Sequence, residues 1–93
     1  MNDANPEIEE QLGKLANLCC TRLEADDSDP AIEDSTVDSL LKALLMSGYA
    51  KIEGANLQVD IENRVKDKCR EPAMHRGGAL SSITGQLQTK FDD

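Results

Sequence analysis

Few residues of this chain have a type and setting suited to chemistry, and Ser39 comes first. It stands in Ala31-Ile32-Glu33-Asp34-Ser35-Thr36-Val37-Asp38-Ser39-Leu40. That stretch ends an acidic, Pro-containing run and opens the most apolar one, Leu40-Leu41-Lys42-Ala43-Leu44-Leu45-Met46. A serine at such a junction is expected at the start of a helix, where backbone N–H groups lack partners and the dipole favours negative charge. Chemistry here would take the form of a group attached at or near Ser39. The same residues serve structure alone if Asp38 or Ser39 caps a core helix, since both types are preferred there.

The other reactive types are sparse. Cys19, Cys20 and Cys69 are odd in number and two are adjacent, which does not read as a disulfide framework. With His75 the sole histidine, a metal site lacks ligands at suitable spacing. Reduced, partly buried thiols are expected. From Glu24 to Asp38 the chain carries seven acids (Glu24, Asp26, Asp27, Asp29, Glu33, Asp34 and Asp38) and no base, with Pro30 interrupting. This is expected to be a long solvated linker, with Ala31 and Ile32 as its candidate anchors on the core. Its spacing does not match the EF-hand pattern of alternating ligands, central glycine and closing glutamate.

The elements that must position these groups follow from periodicity. Asn5-Pro6-Glu7 reads as a helix start, with Asn as cap, Pro at the first helical position and acids in the first turn. Ile8, Leu12, Leu15, Cys19 and Leu23 then recur at helical steps, predicting an amphipathic helix through about Leu23. A second helix is expected from Ser39 to about Met46, nearly all apolar and therefore largely buried. Leu57, Val59 and Ile61 alternate with Asn56, Gln58 and Asp60, a strand signal consistent with a short β-hairpin near residues 50–61. Ile61, Val65 and Cys69 suggest a weaker third helix ended by Pro72. The reading leaves residues 50–78 open between hairpin, helix and insertion. Gly77-Gly78 marks a break, and Leu80, Ile83, Leu87 and Phe91 a last amphipathic helix with Ser81 or Ser82 as cap.

Ninety-three residues support a single small domain over 1–93. At 39% hydrophobic and 30% charged residues the composition is that of a folded chain. One Tyr, one Phe and no Trp leave the core to Leu, Ile, Val, Met and Ala, which favours helices over a β-sandwich. The expected fold is mainly α, a bundle of three to four helices. Its core would hold Ile8, Leu12, Leu15, Leu40, Leu44, Leu45, Ile83 and Leu87. The net charge of −8 argues against nucleic acid, whose binders neutralise phosphates with Lys and Arg. It suits a partner protein with a basic surface. No run approaches the roughly 18 apolar residues of a membrane span. The opening Met1-Asn2-Asp3-Ala4-Asn5 is polar, unlike a signal peptide, so a cytoplasmic protein is expected.

The stretch ending in Asp38-Ser39-Leu40 resembles the attachment motif of acyl and peptidyl carrier proteins. In that family an apolar residue and acids precede a small turn and Asp-Ser-Leu. The resemblance implies that Ser39 accepts 4′-phosphopantetheine from coenzyme A, with Asp38 and Leu40 as its motif neighbours. It further implies partners, a phosphopantetheinyl transferase and acyl-handling enzymes, and no catalysis by the carrier itself. The layout is similar too: an amphipathic helix, a long acidic loop, the serine, and a short closing helix near Ser82-Ile83-Thr84. There are departures. Thr36 stands where the family has Gly, Ser35 replaces its stabilising Leu, and Lys42 is the one charge between Leu40 and Met46.

Two other classes fit parts of the chain. An apolar helix followed by a hairpin is similar to the helix-plus-wing end of a winged-helix domain; with this acidity it would be a protein-interaction module, an adaptor or inhibitor without a prosthetic group. Met74-His75-Arg76-Gly77-Gly78 is similar, more faintly, to a histidine phosphorylation box and to the His-Gly-Gly of hotdog-fold thioesterases. A histidine before a Gly-Gly break also serves as a plain loop residue.

Overall fold

The computed structural model describes residues 6–25 and 35–92, which fold as five α-helices with no strand among them. These are α1 (Pro6–Glu24), α2 (Ser35–Met46), α3 (Leu57–Lys68), α4 (Arg70–His75) and α5 (Gly77–Asp92), with a 3₁₀ turn at Tyr49–Lys51 between α2 and α3. The chain is mainly helical, as expected. Asn5, Ala31 and Ile32 lie outside the described residues, as does most of the acidic linker.

Helix α1 is the centre of the bundle. It packs on α2, α3, α4 and α5, most extensively on α3, and α3 packs in turn on α5. Its face at Ile8, Leu12, Leu15, Cys19 and Leu23 is buried, and Ala16 and Cys20 widen it. Across from it lie Leu57, Ile61 and Val65 of α3, one turn apart, and Leu80, Ile83 and Leu87 of α5. Burying side chains of this size contributes about 1.5–3 kcal/mol each, so these interlocked stripes hold the fold together.

The hairpin expected near 50–61 is a helix start instead. Asn56 caps α3, its side chain accepting from the Val59 N–H at 3.1 Å. The alternation of Leu57, Val59 and Ile61 is the first half of a four-residue rhythm, 57, 61, 65; Val59 falls on the outer face and is 48% exposed. Gly48 and Gly54, with φ of 84° and 79°, make the turns either side of the 3₁₀ segment, a conformation costly for other residues. Pro72 does not end a helix. The chain breaks at Cys69, and Pro72 sits in the first turn of α4, where a missing N–H costs nothing.

Two further boundaries move. Helix α5 begins at Gly77, so Gly77-Gly78 opens it and Ser81 and Ser82 lie in its second turn rather than at its cap. Helix α2 begins at Ser35, so the last residues of the acidic stretch are helical. Only one face of α2 is buried, at Val37, Leu40, Leu41 and Leu44. Leu45, expected in the core, is 49% exposed and Met46 83%. Val37 takes the core position, and 100° per residue carries Leu45 past the contact with α1.

The thiols also differ from expectation. Cys20 and Cys69 form a disulfide with Cα atoms 6.1 Å apart, well within the span such a bond bridges. An odd count does not bar one pair, and packing of α1 on α3 supplies the proximity that spacing in sequence does not show. Cys19 alone is free, fully buried, its thiol pushed up to about 12 by burial, which keeps it protonated and inert. Beside the disulfide, Arg76 donates to the Leu23 carbonyl at 2.7 Å and so satisfies an orphan acceptor at the end of α1. Among the described residues no helix is long and apolar enough to cross a membrane, and no group of His, Cys, Asp and Glu is arranged to hold a metal ion.

Candidate functional site

Ser39 lies on the outward face of α2, exposed, with no hydrogen bond or ion pair among the described residues. It is the fifth residue of the helix rather than its first. The unpaired N–H groups belong to the opening turn at Ser35–Asp38, so the helix terminus offers no anion seat at Ser39 itself. Asp38 is exposed and faces Lys90 of α5 at 3.7 Å, while Leu40 turns inward to the core. The three motif residues are therefore brought to three different surroundings. Leu40 also lines a mostly apolar cleft of about 250 Å³ between α1 and α2, together with Leu18, Thr21 and Thr36.

His75, the other residue singled out for chemistry, is the exposed last residue of α4, without a hydrogen bond or ion pair among the described residues.

A set of interacting polar groups lies where α1, the 3₁₀ turn and α3 meet. Tyr49 is buried, and its hydroxyl donates to Asp60 Oδ2 in the first turn of α3. Arg64, one helical turn further, holds Glu9 Oε1 of α1 at 2.7 Å. The Phe91 ring meets the Tyr49 ring edge-on at 5.8 Å and fixes its position from behind. Burial first, then the hydrogen bond to Asp60 and its charge, raise the Tyr49 hydroxyl above its ordinary range, against a smaller opposing pull from Arg64. Tyr49 stays a neutral donor, so Asp60 is held in place as an acceptor.

These groups border a cleft of about 260 Å³. Ile8 and Leu12 form its floor, Ile52 its apolar lip, and Glu9, Glu53, Asp60 and Arg64 its polar rim. Three carboxylates face one guanidinium, and that guanidinium is engaged by Glu9. Glu53 is exposed and makes no ion pair among the described residues. The cleft thus sets hydrogen-bond acceptors beside an apolar wall, the composition of a small recognition pocket.

Sequence reading missed this cleft. The alternation over 56–61 places Asp60 in the polar half of a strand pattern, and neither Tyr49 nor Arg64 belongs to a motif. The available signal was Asp60 and Arg64 at i and i+4 behind an Asn cap, which places both on one face of a helix. Comparison with family models, with curated proteins and with solved structures finds no match for this chain.

Proposed function

We propose that this chain is a small non-catalytic binding module whose partner is a protein with a basic surface. The observation that carries the reading is the cleft between α1 and α3, where Glu9, Glu53 and Asp60 ring an apolar floor. The net charge of −8 draws a basic partner in, and the cleft gives it one defined point of contact. Neither nucleic acid nor a membrane surface fits this charge. The test is affinity capture with the full chain and with a Glu9→Lys/Glu53→Lys variant, followed by reconstitution with the purified partner. A protein held by the first and lost from the second supports the module; partners that do not distinguish the two variants sink it.

A second reading rests on a different observation, the exposed and unengaged hydroxyl of Ser39 within Asp38-Ser39-Leu40. On that reading the chain is a carrier, with 4′-phosphopantetheine on Ser39 and an acyl or aminoacyl thioester on its arm. A phosphopantetheinyl transferase would load it and acyl-handling enzymes would be its partners. The position of Ser39 one turn inside α2 counts against it. Intact mass after incubation with coenzyme A and a promiscuous transferase decides. A gain of one phosphopantetheine, lost in Ser39→Ala, establishes the carrier, and an unchanged mass of folded protein removes it.

The compartment is tied to Cys20 and Cys69. A cytoplasmic chain would keep them as thiols, whereas their bond persists in an oxidising compartment. Alkylation of free thiols in freshly opened cells distinguishes the two.

A further inference from the structure

We infer that the cleft between α1, the 3₁₀ turn and α3 takes one arginine or lysine side chain of the protein partner, stem along Ile52 and charge against Asp60 and Glu53. This rests on the binding-module reading and names what its site recognises. The cleft combines two properties that a generally acidic surface lacks. Ile8 and Leu12 beneath it are buried in the core, and its accessible apolar wall is Ile52 at the lip, 48% exposed. An occupant with only a charge leaves that apolar wall uncovered; one with only an alkyl chain leaves the rim carboxylates without a counter-charge.

The rim is arranged for a cation. Arg64 and Glu9 satisfy each other, which leaves Asp60 and Glu53 without a basic partner among the described residues. Tyr49 engages only Oδ2 of Asp60, and its hydroxyl keeps that carboxylate oriented while Oδ1 has no hydrogen-bond partner among the described residues. The neighbouring Arg64–Glu9 contact at 2.7 Å is an example, within the same rim, of a guanidinium seated on a carboxylate. Long basic side chains are built for such a place, since their methylene stems lie on apolar surface while the head group stays at the polar edge. The turn at Gly54 borders the opening, and a Cβ there would meet nothing within 4 Å, so the entrance is not closed by side-chain packing.

The test is titration of the isotope-labelled full chain, followed by amide chemical shifts, with butylguanidinium as the probe. Methylguanidinium and butanol each lack one half of the recognised group. Butylguanidinium is expected to give saturable shifts confined to Tyr49, Ile52–Ala55, Asp60 and Arg64. Methylguanidinium should bind about tenfold more weakly for want of the stem, and butanol should leave these amides in place. Glu53→Gln should weaken butylguanidinium about threefold, and Asp60→Asn at least as much, with circular dichroism confirming the fold of each. Glu71→Gln on α4, which removes an acid outside the cleft, should change nothing.

Shifts spread over the acidic surface, equal binding of methyl- and butylguanidinium, tighter binding of magnesium ion or a free diamine than of butylguanidinium, or indifference to Glu53→Gln and Asp60→Asn would each overturn the inference. Failure here is separable from failure of the module reading. A partner lost from Glu9→Lys/Glu53→Lys but held undiminished by Glu53→Gln and Asp60→Asn keeps the module and removes this inference, whereas probe binding with no partner that distinguishes the two chains does the reverse.

Discussion

The outer face of α2 and the cleft between α1 and α3 are opposites. The first carries a recognisable motif, contiguous in sequence, whose residues the fold sends to solvent, to Lys90 and to the core. The second carries no motif, yet Glu9, Tyr49, Asp60 and Arg64 come together there from three separate segments. Contiguity makes a pattern visible and says little about where side chains point. Convergence makes a site, and only tertiary packing produces it.

The contrast extends to what holds each region. The cleft side is tied by a covalent bond, by the α1–α3 core and by cross-helix polar contacts, such as Gln58 N–H to Gln88 Oε1 at 3.0 Å and Thr84 beside Glu62 at 3.0 Å. Helix α2 rests on α1, the 3₁₀ turn and α5 with one apolar stripe and an exposed pair, Asp38 with Lys90. The largest expected effect is therefore loss of the disulfide. The separation of 49 residues gives about 4 kcal/mol by chain entropy, so reduction, or Cys20→Ser with Cys69→Ser, should move the urea midpoint strongly downward. If α2 were held no less tightly than α3, hydrogen exchange of the reduced protein would rise equally in both, and the contrast would fail.

Next comes the division of α2 into two faces. Leu44→Ala should cost about 2–5 kcal/mol by opening a cavity, whereas Leu45→Ala should cost less than about 1 kcal/mol. Equal losses in chemical denaturation would mean that Leu45 is a core residue after all.

Tyr49→Phe removes the donor to Asp60 and should cost about 1.5 kcal/mol at neutral pH. Its pH dependence sharpens the point. The folded-state pKa of Tyr49 is raised, so this contribution is fully present below the unfolded value near 10 and is lost as pH rises beyond it, where the unfolded chain releases the proton more readily. Stability measured from neutral to alkaline pH should fall more steeply in the parent chain than in Tyr49→Phe.

Smallest is Ser39→Ala, within about 0.5 kcal/mol by thermal denaturation, as expected of an exposed side chain without partners. A larger loss would give Ser39 a structural role that its surroundings do not suggest.

The helical class and most of the core were legible, because Ile8, Leu12, Leu15, Ile83 and Leu87 repeat at helical steps over long windows. The stretch around Leu57 was not, since three alternating apolar residues fit a strand as well as a helix. What decides it is Val65, four residues past Ile61, together with the Asn56 cap. The start of α2 was misplaced because Ser35, Thr36, Asp38 and Ser39 are all good capping types, and a propensity shared by four candidates selects none. The cysteine pairing was illegible for a different reason: it joins α1 to the break between α3 and α4 through tertiary packing, and no local pattern encodes that. The cleft failed to appear for both reasons, a misread element and a tertiary meeting.

The bond between Cys20 and Cys69 also decides how the chain responds to a protease. It closes a covalent ring that contains α2, α3 and the acidic stretch between Ala25 and Ser35. A single cut anywhere in that stretch breaks one peptide bond yet leaves one molecule, its two pieces still tethered through sulfur. Such a nick would pass unseen on a non-reducing gel and show as two bands once a thiol is added, so the oxidised chain can be opened at its most acidic point without coming apart.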